Sequence, residues 1–148
     1  MSILERDIAP EPAIERHSAT DDDIVFESFG RCCNQDGFFS DFYDRFMGSS
    51  KAIRAKFSHT DIKRQRYLLR DGILQLILYA RGMPDNRLQA LGHSHSRTGH
   101  NVPPEWYDLW VNALIETLSE HDPYFDARME AAWRRVIRPG LALMKSAY

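Results

Sequence analysis

Three polar side chains sit where helical spacing calls for apolar ones. His95 follows Leu88 by seven residues and Leu91 by four, so it continues the inward stripe of a short helix. Gln65 lies three residues after Ile62 and four before Leu69 on another stripe. Tyr43 belongs to an aromatic set with Phe38, Phe39, Phe42 and Phe46 on a third. A neutral imidazole is the commonest side-chain metal ligand, and a buried amide or phenol is a hydrogen-bond donor. Each also has a plain structural reading: a core histidine bonded to backbone, an amide tied to its neighbours, a tyrosine packed for its ring. A buried amide without partners costs about 1–3 kcal/mol, so under either reading these groups must be answered by neighbours. Polar groups facing inward from three different helices could meet in one pocket with aromatic walls.

The remaining reactive side chains form no second constellation. His93 is two residues from His95, about 200° around a helix, so it faces elsewhere; exposed, solvated imidazoles account most simply for His93 and His100. Cys32 and Cys33 are adjacent on an apolar helix face and read as buried thiols, not a redox pair or a disulfide framework. There is no glycine-rich phosphate loop, no GxSxG elbow and no HExxH motif.

Helices must position the three groups, because strand-like alternation is nearly absent. Asp21–Asp23 place negative charge on the first turn of a helix carrying Val25, Phe29, Cys32 and Cys33. After Gly37 comes the Phe38–Phe46 helix, ended by Gly48, and a short helical piece then leads through Ile53 to Phe57. Thr60 and Asp61 cap the helix of Ile62, Gln65, Leu69, Gly72 and Leu76, which stops at Gly82–Asp85. Leu88, Leu91 and His95 follow on a short helix. Pro103-Pro104 opens a helix through about Leu118, and Asp122-Pro123 opens the last one, which Pro139 should kink or break. The pattern predicts an all-α domain of six to eight helices over residues 21–148, preceded by an N-terminal arm at 1–20.

Composition bounds the rest. The chain has 148 residues, with 43% hydrophobic, 11% aromatic and 27% charged, the balance of one soluble domain. A net charge of −2 spreads no positive face for nucleic acid. No apolar stretch approaches a membrane span or a signal sequence, so a cytoplasmic location is expected.

The ordered landmarks resemble those of a bacterial single-domain globin, over about residues 21–147. The run FYDRF at Phe42–Phe46 is similar to the B helix of bacterial globins and flavohaemoglobins, which puts their distal tyrosine at Tyr43. The run AKF ends at Phe57, the position of the family's phenylalanine stacked on the haem. DIKRQRYLL places Gln65 at the distal helix-E position and Leu69 one turn on, over the haem face. LGHSHS puts His95 at the proximal ligand position, with Leu91 beside it; PPEWYDLW opens helix G, and AAW lies in helix H.

The resemblance implies a globin fold around haem b, with His95 on the iron and no other metal ligand. Tyr43 and Gln65 become distal hydrogen-bond donors, while Phe57, Leu69 and Leu91 wall the pocket. Arg97 and His100 are candidates for the haem propionates, in a His95–Val102 connection slightly longer than in the commonest globins. Tyr107 matches a proximal tyrosine that flavohaemoglobins pair with a glutamate late in helix H. Here that glutamate's place falls at about Tyr148, and the last ten residues contain no acid. A carboxylate there would favour reduction of oxygen, so its absence favours reversible binding.

The implied function is reversible binding of dioxygen for storage, transport or sensing, with carbon monoxide and nitric oxide as further ligands and no catalytic residue. A nitric-oxide dioxygenase is the enzymatic alternative, and it needs an external reductase because no flavin or nicotinamide domain is present. A haem-free globin-like signalling module is the third reading. A homodimer through helices G and H, with Trp106, Trp110 and Trp133 on its surface, is a further expectation, though core packing competes for all three. Any reductase or signalling output is expected from a separate partner.

Overall fold

The computed structural model describes residues 20–148, so the arm expected at 1–20 lies, except for Thr20, outside the described residues. Seven helices follow: α1 Asp21–Cys32, α2 Asp36–Gly48, α3 Lys51–Lys56, α4 Ile62–Ala80, α5 Asn86–Ser94, α6 Glu105–His121 and α7 Ala127–Ser146. Among the described residues there is no strand, and no helix is long and apolar enough to cross a membrane.

Local chemistry sets most helix starts. The first amide groups of a helix lack internal partners, and short polar side chains supply them. Thr20 accepts from the Asp23 amide, Ser50 from Ala52 and Ile53, and Asp61 from Lys63 and Arg64. Gly82, with φ of 92°, takes the left-handed turn that ends the α4 connection.

Two sequence expectations about the last helix are corrected. Asp122 does not open it; Asp126 caps α7 by accepting from the Met129 amide at 2.8 Å. Pro139 does not break it either, for α7 runs through to Ser146. Pro139 and Arg135 are exposed, so water can answer the Arg135 carbonyl that proline leaves without a bond. On the opposite side Gly140 is buried where α7 crosses its neighbours. A Cβ there would come within 2.6 Å of Leu76 on α4 and 3.1 Å of Leu88 on α5.

α7 is the hub, packing against α1, α4 and α5, while α2 packs against α6 and α3. Val25, Phe38, Phe42, Ile73, Leu114, Trp133 and Ile137 fill the core between them. Cys32 and Cys33 are buried and unpaired, as their stripe predicts. Burial raises both thiols, that of Cys32 to about 11, which leaves them protonated and inert.

Candidate functional site

The α2 aromatics stack into a continuous wall. Phe42 meets Tyr43, Phe46 and Trp110 with ring centroids 5.2, 5.6 and 5.8 Å apart. Phe57, which caps the C-terminus of α3, lies 5.8 Å from Tyr43 and 6.0 Å from Phe46. The expected distal residues therefore converge on one wall.

Tyr43 and Gln65 also meet, but not by the contact that donor side chains alone would suggest. The Tyr43 hydroxyl donates to the Gln65 backbone carbonyl at 3.2 Å. A buried hydroxyl needs an acceptor, and this carbonyl lies on the first turn of α4. Burial pushes the phenol well above its usual range, so it stays a donor. Gln65 is half-buried, and Leu69, one turn along, is buried.

His95 ends α5 as its C-terminal cap. Its Nδ1 lies 2.8 Å from the Leu91 carbonyl, which makes Nδ1 the protonated nitrogen in the neutral ring. Burial favours that neutral form and lowers the pKa below 6.5; the Leu91 bond opposes the shift and His100, its ring centroid 6.1 Å away, adds to it. Nε2 is left with its lone pair and no protein partner among the described residues. Leu91 in turn packs 3.9 Å from the place a Cβ on Gly72 of α4 would occupy. At Gly92 the backbone of α5 approaches Met144 of α7, where an added Cβ would meet Cα at 3.1 Å.

The His95–Val102 connection folds back on itself. The amides of His100 and Asn101 donate to the Ser94 and Ser96 carbonyls, and Val102 donates to that of His95, at 2.8–2.9 Å. Gly99 permits this, because a Cβ there would lie 2.2 Å from the Ser94 carbonyl oxygen. Arg97 is drawn over the Tyr148 ring at 4.7 Å, and the Tyr148 hydroxyl donates to Asn101 at 2.7 Å. At the place the resemblance gives to the flavohaemoglobin glutamate, a tyrosine closes on the loop.

Tyr107 is buried in α6, and no hydrogen bond links it to His95. Burial raises its pKa. His93 and His100 are exposed, and among the described residues no three His, Cys, Asp or Glu side chains gather as a metal cluster. Trp133 is removed from the proposed dimer surface: it is fully buried, its indole donating to Ser28 at 3.0 Å. Trp106 and Trp110 remain half-buried against the core.

One polar centre was not legible from local spacing. Asp122 is buried and accepts from Ser28 at 2.6 Å, from Arg31 at 2.9 and 3.0 Å, and from the Tyr124 amide at 3.0 Å. Burial alone would raise its carboxyl, yet Arg31, Ser28 and the Tyr124 amide together hold it below 3.8. A second, more exposed pair joins His121 to Asp41 at 2.9 Å.

The globin family model matches residues 40–139, and the chain belongs to the globin family. Among solved structures, the chain is similar to a Pseudomonas aeruginosa protein described as structurally highly homologous to a human haemoglobin. The two are 51% identical with a TM-score of 0.85, over 87% of this chain and 98% of that one. A search of curated proteins finds no match. Haem is the group this family typically holds, and the donor set here fits it: a half-buried, neutral imidazole with one nitrogen fixed by backbone and the other unshared among the described residues.

Proposed function

We propose that this globin binds haem b through His95 and takes up dioxygen reversibly, with carbon monoxide and nitric oxide as competing ligands. The observation that carries the proposal is the His95 ring: Nδ1 is committed to the Leu91 carbonyl and Nε2 is free of protein partners among the described residues. When bound, the haem supplies a ferrous iron with an open position for a diatomic gas.

The chain's residues do the rest. Leu91 fixes the tautomer and the ring plane of His95, so Nε2 is presented as a neutral ligand. On the distal wall, Tyr43 and the Gln65 amide offer donors to a polar diatomic ligand; for Tyr43 this means exchanging its bond to the Gln65 carbonyl. Each such bond contributes about 0.5–1.5 kcal/mol, so the pair raises oxygen affinity by up to about two decades. Carbon monoxide, less polar when bound, gains less. Phe57 and Leu69 keep the wall apolar and exclude water, and Arg97, steered by Tyr148, is the proposed propionate contact.

A neutral carbonyl, not a carboxylate, answers Nδ1 of His95. That supports reversible binding over the dioxygenase alternative, because only an anionic partner would push the ring toward imidazolate. Haemin titration followed by absorption tests the reading. The wild type should show a Soret band at one haem per chain, and His95→Ala should lose it. A wild type that takes up no haemin would overturn the proposal in favour of a haem-free module. Rapid nitric-oxide turnover with an added reductase would replace it with the enzyme.

A further inference from the structure

We propose that the outer face of α4 carries a binding site for the phosphoryl group of a phosphate monoester, separate from the His95 and Tyr43 region. A cavity of about 250 Å³ opens between α4 and the residues that join α1 to α2. Lys63, Arg66, Tyr67 and Arg70 line it from α4, and their i, i+3, i+4, i+7 spacing gathers them on one face. Gln65 and Leu69 lie on the other side of the same helix, roughly 200–240° around from Lys63. Cys33 and Phe39, both buried, close the opposite wall.

The distribution of carboxylates singles this cavity out. Five arginines are half-buried: Arg31, Arg45, Arg66, Arg70 and Arg134. Arg31 pairs with Asp122, Arg45 with Asp41, Glu116 and Glu120, and Arg134 with Glu130. Arg66 and Arg70, the two in the cavity, have no carboxylate within ion-pairing distance among the described residues, and neither has Lys63. A partly desolvated guanidinium without a counter-charge is costly, and it strengthens any anion that reaches it.

Neutral groups instead hold the two guanidinium groups in place. Arg66 donates to Ser40 at 2.9 Å, and its Nε is buried with no acceptor. Arg70 donates to the Cys33 carbonyl at 3.0 Å and to Asn34 at 2.9 Å, with its guanidinium 5.4 Å from the Phe29 ring centroid. The positions are therefore organised while the charge is not neutralised, which lowers the ordering cost of binding. Two forks and an ammonium match an oxyanion of charge near −2 with three acceptor oxygens, which a single carboxylate does not provide. At about 30 Å³ per water, the cavity holds roughly eight waters, more than a bare phosphate fills. Phe39 and the exposed Tyr67 give the cavity an aromatic lining for the group that the phosphate carries.

Calorimetric titration of the full-length protein as purified tests this with three probes: phenyl phosphate, inorganic phosphate and benzoate. Phenyl phosphate should bind once per chain, at least fivefold tighter than inorganic phosphate and tenfold tighter than benzoate. Arg66→Met should weaken it at least tenfold and Arg66→Lys about threefold. Arg54→Met, an exposed cation on α3 outside the cavity, should leave it unchanged. Lys63→Gln, on an exposed side chain that folding does not need, should weaken it about threefold and carries the test if Arg66→Met does not fold. No saturable binding, equal binding by wild type and the Arg66 and Lys63 variants, or equal loss in Arg54→Met would overturn the site. Benzoate binding as tightly as phenyl phosphate would overturn its phosphoryl preference.

Discussion

At Asp122 both carboxylate oxygens are taken: Oδ1 by Arg31 and the Tyr124 amide, Oδ2 by Ser28 and Arg31, with Trp133 donating onward to Ser28. At His95 one nitrogen is committed to the Leu91 carbonyl and the other has no protein partner among the described residues. Asp122 is buried and His95 half-buried, and both bring in partners. The clasp at Asp122 is closed on itself, so its bonds hold helices together. His95 is bonded on one side only, and that asymmetry is what the proposed haem site needs. The difference separates polarity that closes on the fold from polarity that, in the proposed function, is kept for a ligand.

Substitutions should break the two regions in different ways. The largest effect belongs to Asp122→Ala, which strands the Arg31 guanidinium and Ser28. It should cost about 3 kcal/mol and lower Tm by about 6–12 °C by calorimetry, without moving the Soret maximum of the folded protein. An unmoved Tm would show that the clasp contributes nothing. Tyr43→Phe should do the reverse: the oxygen off-rate rises about tenfold in stopped-flow measurements, the equivalent of one hydrogen bond, while Tm stays within a few degrees. An unchanged off-rate would remove Tyr43 from the distal role.

The smallest effect lies in the acid limb. Asp122 has a folded pKa below 3.8, so its stabilising contribution is complete above that value and is lost as pH falls through the folded pKa. Arg31→Met removes a group that holds the carboxyl down and leaves the burial that pushes it up. Acid unfolding followed by circular dichroism should then begin at higher pH, by about half a unit. The absorption of the haem-loaded protein at neutral pH should not respond.

How far the sequence reaches follows from how local each determinant is. The stripes of Val25 and Phe29, of Phe38 to Phe46 and of Leu69 to Leu76 lie within single helices, and the structure buries them as their spacing requires. Asp61 caps α4 because the cap and its amide partners are two and three residues apart. Asp122 carries an equally strong local signal in front of Pro123, yet its partners Ser28 and Arg31 are 94 and 91 residues away, where no short pattern reaches. The local signal at Asp122 therefore points to the wrong start for α7, which Asp126 caps. Pro139 failed as a breaker because tight packing of Gly140 on Leu76 and Leu88 outweighs one missing amide. Periodicity singles out Tyr43, Gln65 and His95 as inward polar groups, but not which atoms bond. The Tyr43–Gln65 carbonyl contact and the Arg97–Tyr148 stack depend on how separate helices and loops come to rest.

The clasp also has a consequence for the order in which the molecule assembles. Closing a loop of about 90 residues costs roughly 4 kcal/mol of chain entropy, more than the clasp's bonds return one at a time. Those bonds form only after α1, α6 and α7 have already met through apolar contacts. The clasp is therefore a late fastening: it slows escape from the native state and does little to hasten arrival.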